Sequence, residues 1–163
     1  MYKFRNVKNS DLNDLLIIEN NGFTPDEAAT KNALIDRINT INDTFIVAEA
    51  ENNGEIAGYI NGPVINQMYI TDDLFENIDK NRTEGGYIAV LGLVVSESHR
   101  NQGLAGKLLN QLDLIAKKNK RLGVTLTCKA TLIAFYEKYG YINHGLSEST
   151  HGGQEWFNLV KIL

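Results

Sequence analysis

The run Arg100-Asn101-Gln102-Gly103-Leu104-Ala105-Gly106 couples a fixed cation to small residues, a combination suited to holding an anion. Placed between a strand and a helix, such a turn aims several backbone N–H groups and the positive end of a helix dipole at one point. A pyrophosphate fits that point. Gly103 removes the Cβ that would obstruct close approach, Ala105 nearly does so, and Arg100 adds charge at the mouth of the loop. The flanks agree. Tyr87 to Val95 is nine apolar or small residues without interruption, the pattern of a strand buried on both faces. After the loop, Leu104, Leu108, Leu112 and Ile115 recur at helical spacing. Neither G-x-x-x-x-G-K-[ST] nor G-x-G-x-x-G after a strand is present, which excludes the nucleotide loops built on those patterns.

In that setting Arg100-x-x-Gly103-x-Ala105 resembles the acyl-CoA loop of the GNAT N-acetyltransferases, [Arg/Gln]-x-x-Gly-x-[Gly/Ala]. A second match lies further on. Phe135-Tyr136-Glu137-Lys138-Tyr139-Gly140-Tyr141 is similar to the acceptor-side Phe-Tyr-x-x-x-Gly-[Phe/Tyr] motif of the same family. The tract Leu126 to Tyr141 resembles the arylalkylamine N-acetyltransferase-like members in particular. The resemblance implies acetyl-CoA as co-substrate, no metal, and direct acetyl transfer to a primary amine, with a small molecule as the leading acceptor. It further implies that Leu93, Val94 and Val95 pair with the pantetheine arm like an added strand. Arg100, Asn101, Gln102, Gly103, Leu104, Ala105 and Gly106 would take the pyrophosphate, and a backbone N–H near Val95 the oxyanion.

The same resemblance makes Tyr136 the proton donor to the departing thiolate, and the chemistry is sound in itself. A tyrosine hydroxyl, with a pKa of about 10, stays protonated at neutral pH, whereas a thiolate with a pKa of about 8.5 is a weak base. A hydroxyl in reach can therefore stabilise or protonate it as the tetrahedral intermediate collapses. Tyr136 also suits the core beside Phe135 and Tyr139, and one of the three must face inward. An attacking ammonium must first lose a proton. The arylalkylamine group uses histidines on the central strand for this, and Tyr87 to Val95 has none. Glu27 and Glu84 are candidate bases, although Glu27 also suits a capping box and Glu84 a solvated loop.

His151-Gly152-Gly153 followed by Trp156 allows a tight turn and an indole wall for an amine through cation–π contact. It also reads as a hairpin turn with a half-buried tryptophan. Glu27, His151 and Trp156 are accordingly the candidate acceptor-side residues, with Tyr69 and Phe75 as further pocket or loop anchors. Cys128 alternates as a strand residue should and has no histidine beside it, so it reads as a buried thiol. The three histidines show no metal-ligand spacing.

These groups must be positioned by the elements between them. Tyr2 to Lys8 alternates as a strand, Ser10 can cap a helix bearing Leu12, Leu15 and Leu16, and Thr24-Pro25-Asp26-Glu27 reads as the start of a second helix with Leu34, Ile35, Ile38 and Ile41 inward. Thr44 to Glu51 and Glu55 to Ile60 form a hairpin about Asn52-Asn53-Gly54. Asn66 to Gly86 is irregular, with a short helix near Asp72 to Ile78, and loops of this length are often binding loops or lids. Val124 to Cys128 is a strand parallel to the central one, Thr131 to Tyr139 a helix ended by Gly140, and Tyr141 to Leu146 and Glu155 to Ile162 the last strands. The order β-α-α-β-β-β-α-β-α-β-β agrees with the α/β GNAT fold. That fold has a mostly antiparallel mixed sheet, splayed parallel fourth and fifth strands, and helices on both faces.

At 163 residues, 43% hydrophobic and 22% charged, residues 1–163 are expected to form one domain with a real core. A net charge of -4 without a basic cluster argues against nucleic acid as a partner. No stretch reaches membrane-spanning length, one cysteine precludes an internal disulfide framework, and the N-terminus alternates instead of forming a signal core. A cytoplasmic location is expected, and a homodimer through the C-terminal strands is compatible with the fold. Two other functions stay open: acetylation of a protein or peptide, and a CoA-binding sensor without turnover.

Overall fold

In the computed structural model, which describes residues 1–163, the first half of the chain gives β1 (Tyr2–Asn6), α1 (Leu12–Gly22), α2 (Lys31–Thr40), β2 (Phe45–Ala50), β3 (Ile56–Asn61) and β4 (Val64–Ile65). The second half gives β5 (Tyr87–Val90), β6 (Gly92–Val95), α3 (Leu104–Lys118), β7 (Gly123–Cys128), α4 (Ile133–Glu137), β8 (Ile142–Leu146) and β9 (Phe157–Ile162). Strands β1, β2, β3 and β6 make one sheet, and β4, β5, β7, β9 and β8 make another in that order. The chain crosses between them three times: from β3 to β4 over Gly62-Pro63, from β5 to β6 over Leu91, and from β6 to β7 through α3. β5 and β7 run parallel, in register from Tyr87↔Gly123 to Val90↔Leu126, and all other pairs are antiparallel.

The expected single strand over Tyr87 to Val95 is thus two strands in two sheets, and its partner imposes the break. Ala89 N–H donates to the Pro63 carbonyl at 2.8 Å and Leu91 N–H to the Asn61 carbonyl at 2.9 Å. Between those bonds the neighbouring strand is irregular, because Pro63 has no N–H to offer. Past Val90, β6 stays with β3 while β7 diverges, opening the sheet.

Each sheet face has its own core. Leu104, Leu108, Leu109 and Leu112 of α3 and Tyr136 of α4 pack with Ile60, Ile88, Val124 and Leu126 on one side. Leu15 and Ile18 of α1 and Leu34 and Ile38 of α2 pack with Phe45, Val47, Tyr59 and Val94 on the other. At the rim, β8 is an edge strand that exposes Ile142 and Leu146. No helix is long and apolar enough to cross a membrane.

Two helix starts differ from expectation. Ser10 does not cap α1. A 3-10 turn over Asn9–Asp11 precedes it, and the Asp11 carboxylate accepts the Lys8 N–H at 2.8 Å. Thr24-Pro25-Asp26-Glu27 forms a single turn that stops, because the Ala29 N–H goes to the Glu19 carboxylate at 2.8 Å instead of to a helical carbonyl. Helix α2 begins afresh with Thr30 capping Ala33 N–H at 3.1 Å. The Asn66–Gly86 segment, by contrast, is tied down along its length. Asn81 accepts from Val64 N–H at 2.8 Å, and the Arg121 guanidinium donates to the Gly85 and Arg82 carbonyls at 3.0 and 2.9 Å.

Asp11 also forms a two-pronged ion pair with Arg5, at 2.8 and 2.9 Å. Burial would raise its carboxyl, but the Arg5 guanidinium and the Lys8 N–H together hold it below the ordinary value. A depressed carboxyl contributes stability above its unfolded value, about 3.9, and loses it as pH falls through the folded value. Between about pH 5 and pH 2 the wild type should therefore lose more melting temperature than Asp11→Asn. Parallel Tm–pH curves would show that the pair is neutral to folding.

Candidate active site

The glycine-bearing loop leaves β6 through a 3-10 turn over Glu97–His99 and enters α3 at Leu104. Asn101 and Gly103 both take left-handed φ, 64° and 77°. Such alternation cups successive N–H groups around one point. The first helical bond here runs from Lys107 N–H to the Gly103 carbonyl at 3.2 Å, so the N–H groups of Leu104, Ala105 and Gly106 have no helical partner. Arg100 braces the loop, its Nε donating to the Val95 carbonyl at 3.1 Å. Gly103 is needed for its φ: a Cβ there would meet no protein atom within 4 Å and would project into open space. Gly106 answers to a different constraint. It is buried, and a Cβ on it would stand 2.1 Å from the Tyr139 hydroxyl. Leu104 sends its side chain into the core and offers the loop only its backbone.

Beyond Leu91, β6 pairs only with β3, and its other edge faces the opening toward β7. Val94 points to the α1 side, whereas Leu93 and Val95 pack toward α3. At the head of the opening is a cavity of about 110 Å³. Val90, Leu91, Gly92 and Leu93 line it from the strand break, Leu126, Thr127 and Cys128 from β7, and Tyr136 from α4. The break is therefore at Leu91, four residues before Val95, near which the resemblance puts the oxyanion N–H, and Val94 and Val95 do not line this cavity.

Tyr136 is 9% exposed, between Phe135 and Tyr141 in edge-on contacts at 5.1 and 5.8 Å. It faces core and cavity together. Burial, with the nearby Cys128 adding to it, pushes its hydroxyl well above the ordinary tyrosine value. The Cys128 thiol is likewise pushed up to about 11 by burial. It stays protonated at neutral pH and is a poor nucleophile.

Three distant segments close the cavity: Phe23 and Glu27 from the α1–α2 connection, Phe75 from the irregular segment, and His151 and Trp156 from the β8–β9 connection. The His151 ring stacks on Phe75, centroids 4.1 Å apart and 11° from parallel. Its Nε2 lies 3.0 Å from the Glu27 carbonyl oxygen. A carbonyl only accepts, so that contact assigns the hydrogen to Nε2 and leaves Nδ1 as an acceptor. Glu27 Oε2 is 2.6 Å from Lys129 Nζ. Desolvation works against its charge, yet Lys129 and the Thr24 side chain and N–H hold the carboxyl below the ordinary range. Trp156 donates its indole N–H to the His151 carbonyl at 2.7 Å, and Lys129 Nζ stands 5.8 Å from its ring centroid. Its cation–π partner is thus a residue of the chain itself. Tyr69 is elsewhere, bonded to His144 at 2.7 Å, and Glu84 is on the exposed loop.

A family model described as acetyltransferase (GNAT) matches residues 11–141. The chain belongs to that family. As a GNAT protein it is an acetyltransferase by class, and its fold recurs among solved structures at low identity. NAA60 of Arabidopsis thaliana, in complex with a bisubstrate analogue, is 19% identical with a TM-score of 0.76, covering 100% of this chain and 99% of its own. Ard1 from Thermoplasma volcanium is 17% identical with a TM-score of 0.75 over 99% and 97%. The GphF GNAT-like decarboxylase in complex with isobutyryl-CoA reaches 0.79 at 17% identity over 98% of each chain. No curated protein sequence matches the chain. A fold shared by a decarboxylase leaves the acceptor to be argued from this GNAT protein's own site.

Sequence reasoning missed two parts of that site. One is the tie between the irregular segment and the β8–β9 connection: the Asp72 carboxylate accepts from the Ser149 hydroxyl and, at 3.0 Å, from the Thr150 N–H. The other is a buried polar group behind the strand break, made of Glu19, Arg37, Tyr59 and Asn61. A signal for it existed. Glu19 and Arg37 fall on the inward stripes of their helices, beside Leu15 and Ile18 and beside Leu34 and Ile38.

Proposed function

We propose that this GNAT protein transfers the acetyl group of acetyl-CoA directly to the primary amine of a small molecule. The observation that carries the proposal is the cavity in which Tyr136 faces the strand break at Leu91 to Leu93, at the head of a free strand edge. The donor's chemistry fits the chain. Unpaired N–H groups at the start of α3, cupped by left-handed Asn101 and Gly103, match a pyrophosphate, and the open edge of β6 matches the amides of a pantetheine arm. Bound there, acetyl-CoA supplies an activated acyl group. The chain's own contribution is position and proton movement.

Amine nitrogen bonds to the acyl carbon as the carbon–sulfur bond breaks, with backbone N–H groups at the strand break receiving the oxyanion charge. Tyr136 gives its hydroxyl hydrogen to the leaving sulfur and regains one from the second proton that the nitrogen sheds on becoming an amide. His151, held by Glu27 and Phe75, accepts the amine proton at Nδ1, and the ionised Glu27 carboxylate steadies the ammonium before that loss. His151→Asn should lower kcat/KM more at pH 7 than at about pH 9.5, where more of the amine is already neutral. An equal loss at both would assign His151 to packing. Gly103→Val should raise the Kd for acetyl-CoA at least about tenfold, beside a lower Tm from the strain of a β-branched residue at a φ of 77°. Unchanged affinity would remove the loop from the donor site.

The closed roof favours a small acceptor over a protein terminus. The Phe75–His151 stack and the Asp72 ties join two connections across the reaction cavity. The test is free-thiol release from acetyl-CoA with arylalkylamines, polyamines, aminoglycosides, amino acids and short peptides. Release with small amines supports the proposal, release with peptides alone replaces the acceptor, and tight binding without release makes the protein a CoA sensor.

A further inference from the structure

Arg37 has no task in the chemistry above. It is 2% exposed, and none of the molecule's ion pairs includes it. Its Nη1 donates to Asn61 Oδ1 at 3.2 Å and its Nη2 to the Phe75 carbonyl at a long 3.4 Å. Both partners are neutral, and a guanidinium has five donors in a planar fork that matches a carboxylate. Glu19, the carboxylate whose field bears most on it, is committed elsewhere. It accepts from the Tyr59 hydroxyl at 2.5 Å and from the Ala29 N–H at 2.8 Å. A cation this deep without a paired anion is costly to fold around.

The space beside it is large. Arg37 lines a cleft of about 990 Å³, and Glu27, Phe75, Leu91 and His151 line both that cleft and the reaction cavity. Asn61 links the guanidinium to the break itself, since its side chain accepts from Arg37 and its carbonyl from Leu91 N–H. Asp26, Asp36 and Glu76 line the same cleft. It therefore offers one buried cation to an anionic group and carboxylates to a cationic one.

We infer that the acceptor is an amino acid, its carboxylate taken by Arg37 and its amino group lying toward Leu91 and His151. The inference rests on the acetyl-transfer reading above and deepens it. A polyamine would suit the acidic wall but leave the guanidinium without a direct ion pair. A peptide N-terminus has no free carboxylate beside its amine.

Matched acceptors test this without any mutation: phenylalanine against phenethylamine, and ornithine against putrescine, by thiol release from acetyl-CoA. The amino acid should exceed its decarboxylated partner in kcat/KM at least about tenfold in one pair or both. Arg37→Met should narrow that ratio at least about tenfold, through KM, with acetyl-CoA affinity serving as the check on folding. Decarboxylated amines equal to or better than the amino acids would overturn the inference, as would an equal loss on both members of each pair. If no acceptor releases thiol, calorimetry of the CoA-loaded protein with the same amino acids separates the two ideas. Binding that is lost in Arg37→Met would retain the carboxylate site and discard acetyl transfer, whereas absence of binding would discard both.

Discussion

Tyr136→Phe is expected to lower kcat about 100-fold, near the lower end of what a positioned general acid contributes, while acetyl-CoA affinity stays unchanged. The phenylalanine keeps the ring, and with it the edge-on contacts to Phe135 and Tyr141, so the loss reports on the hydroxyl alone. Burial has a second consequence. Because the hydroxyl is pushed well above its ordinary value, it remains a proton donor as the solution becomes alkaline. The wild-type kcat should therefore hold through about pH 10, with no alkaline fall from tyrosine ionisation. Single-turnover thiol release at several pH values checks both statements. Equal rates in Tyr136→Phe and wild type would mean that the thiolate leaves unaided.

The largest effect on the fold is expected at Gly62. A Cβ there would stand 1.8 Å from the Ala89 carbonyl oxygen, 2.6 Å from its carbon and 2.9 Å from Val90 Cα. All three are backbone atoms of β5, so no side chain can rotate away. Gly62→Ala must push the Gly62-Pro63 crossing away from β5, at about 3 kcal/mol, the upper end of overpacking costs. For a chain of this size that lowers Tm by about 6 to 12 °C. The same displacement disturbs the bonds that set the break at Leu91, so kcat/KM should fall in the fraction that stays folded. Gly54→Ala is the control: its φ of 73° carries strain, but its Cβ would meet nothing within 4 Å. Equal melting of the two variants would show that the crossing yields more easily than its contacts imply.

Gly62 marks where local pattern stops being informative. Its conformation is not unusual, and nothing in the residues beside it announces that another backbone passes within touching distance. The uninterrupted run Tyr87 to Val95 likewise carries no sign of Leu91 as a boundary, because the cause is the hydrogen-bonding deficit of Pro63 in a crossing remote in sequence. Glu27 shows the same limit from the other side. Its capping contact exists, at a weak 3.4 Å from Thr24 N–H, but the helix it should have started does not follow. Its stronger partner is Lys129, which no spacing rule connects to it.

What the sequence by itself determined is what local chemistry controls. Apolar periodicity set α3 and most of the order of elements along the chain, and Arg100 to Gly106 with the Phe135–Tyr141 motif identified the family. Left-handed φ at Gly103 and a helix start behind it follow from residues within one turn of each other. The tertiary structure alone decided which distant groups share one space. It brought Tyr136, Glu27, His151 and Phe75 around a single cavity, assigned the free nitrogen of His151 through a carbonyl 124 residues away, and buried Arg37 beside a cleft without an ion partner. Those facts depend on packing and on the dielectric that packing creates, and neither is a property of any short stretch of chain.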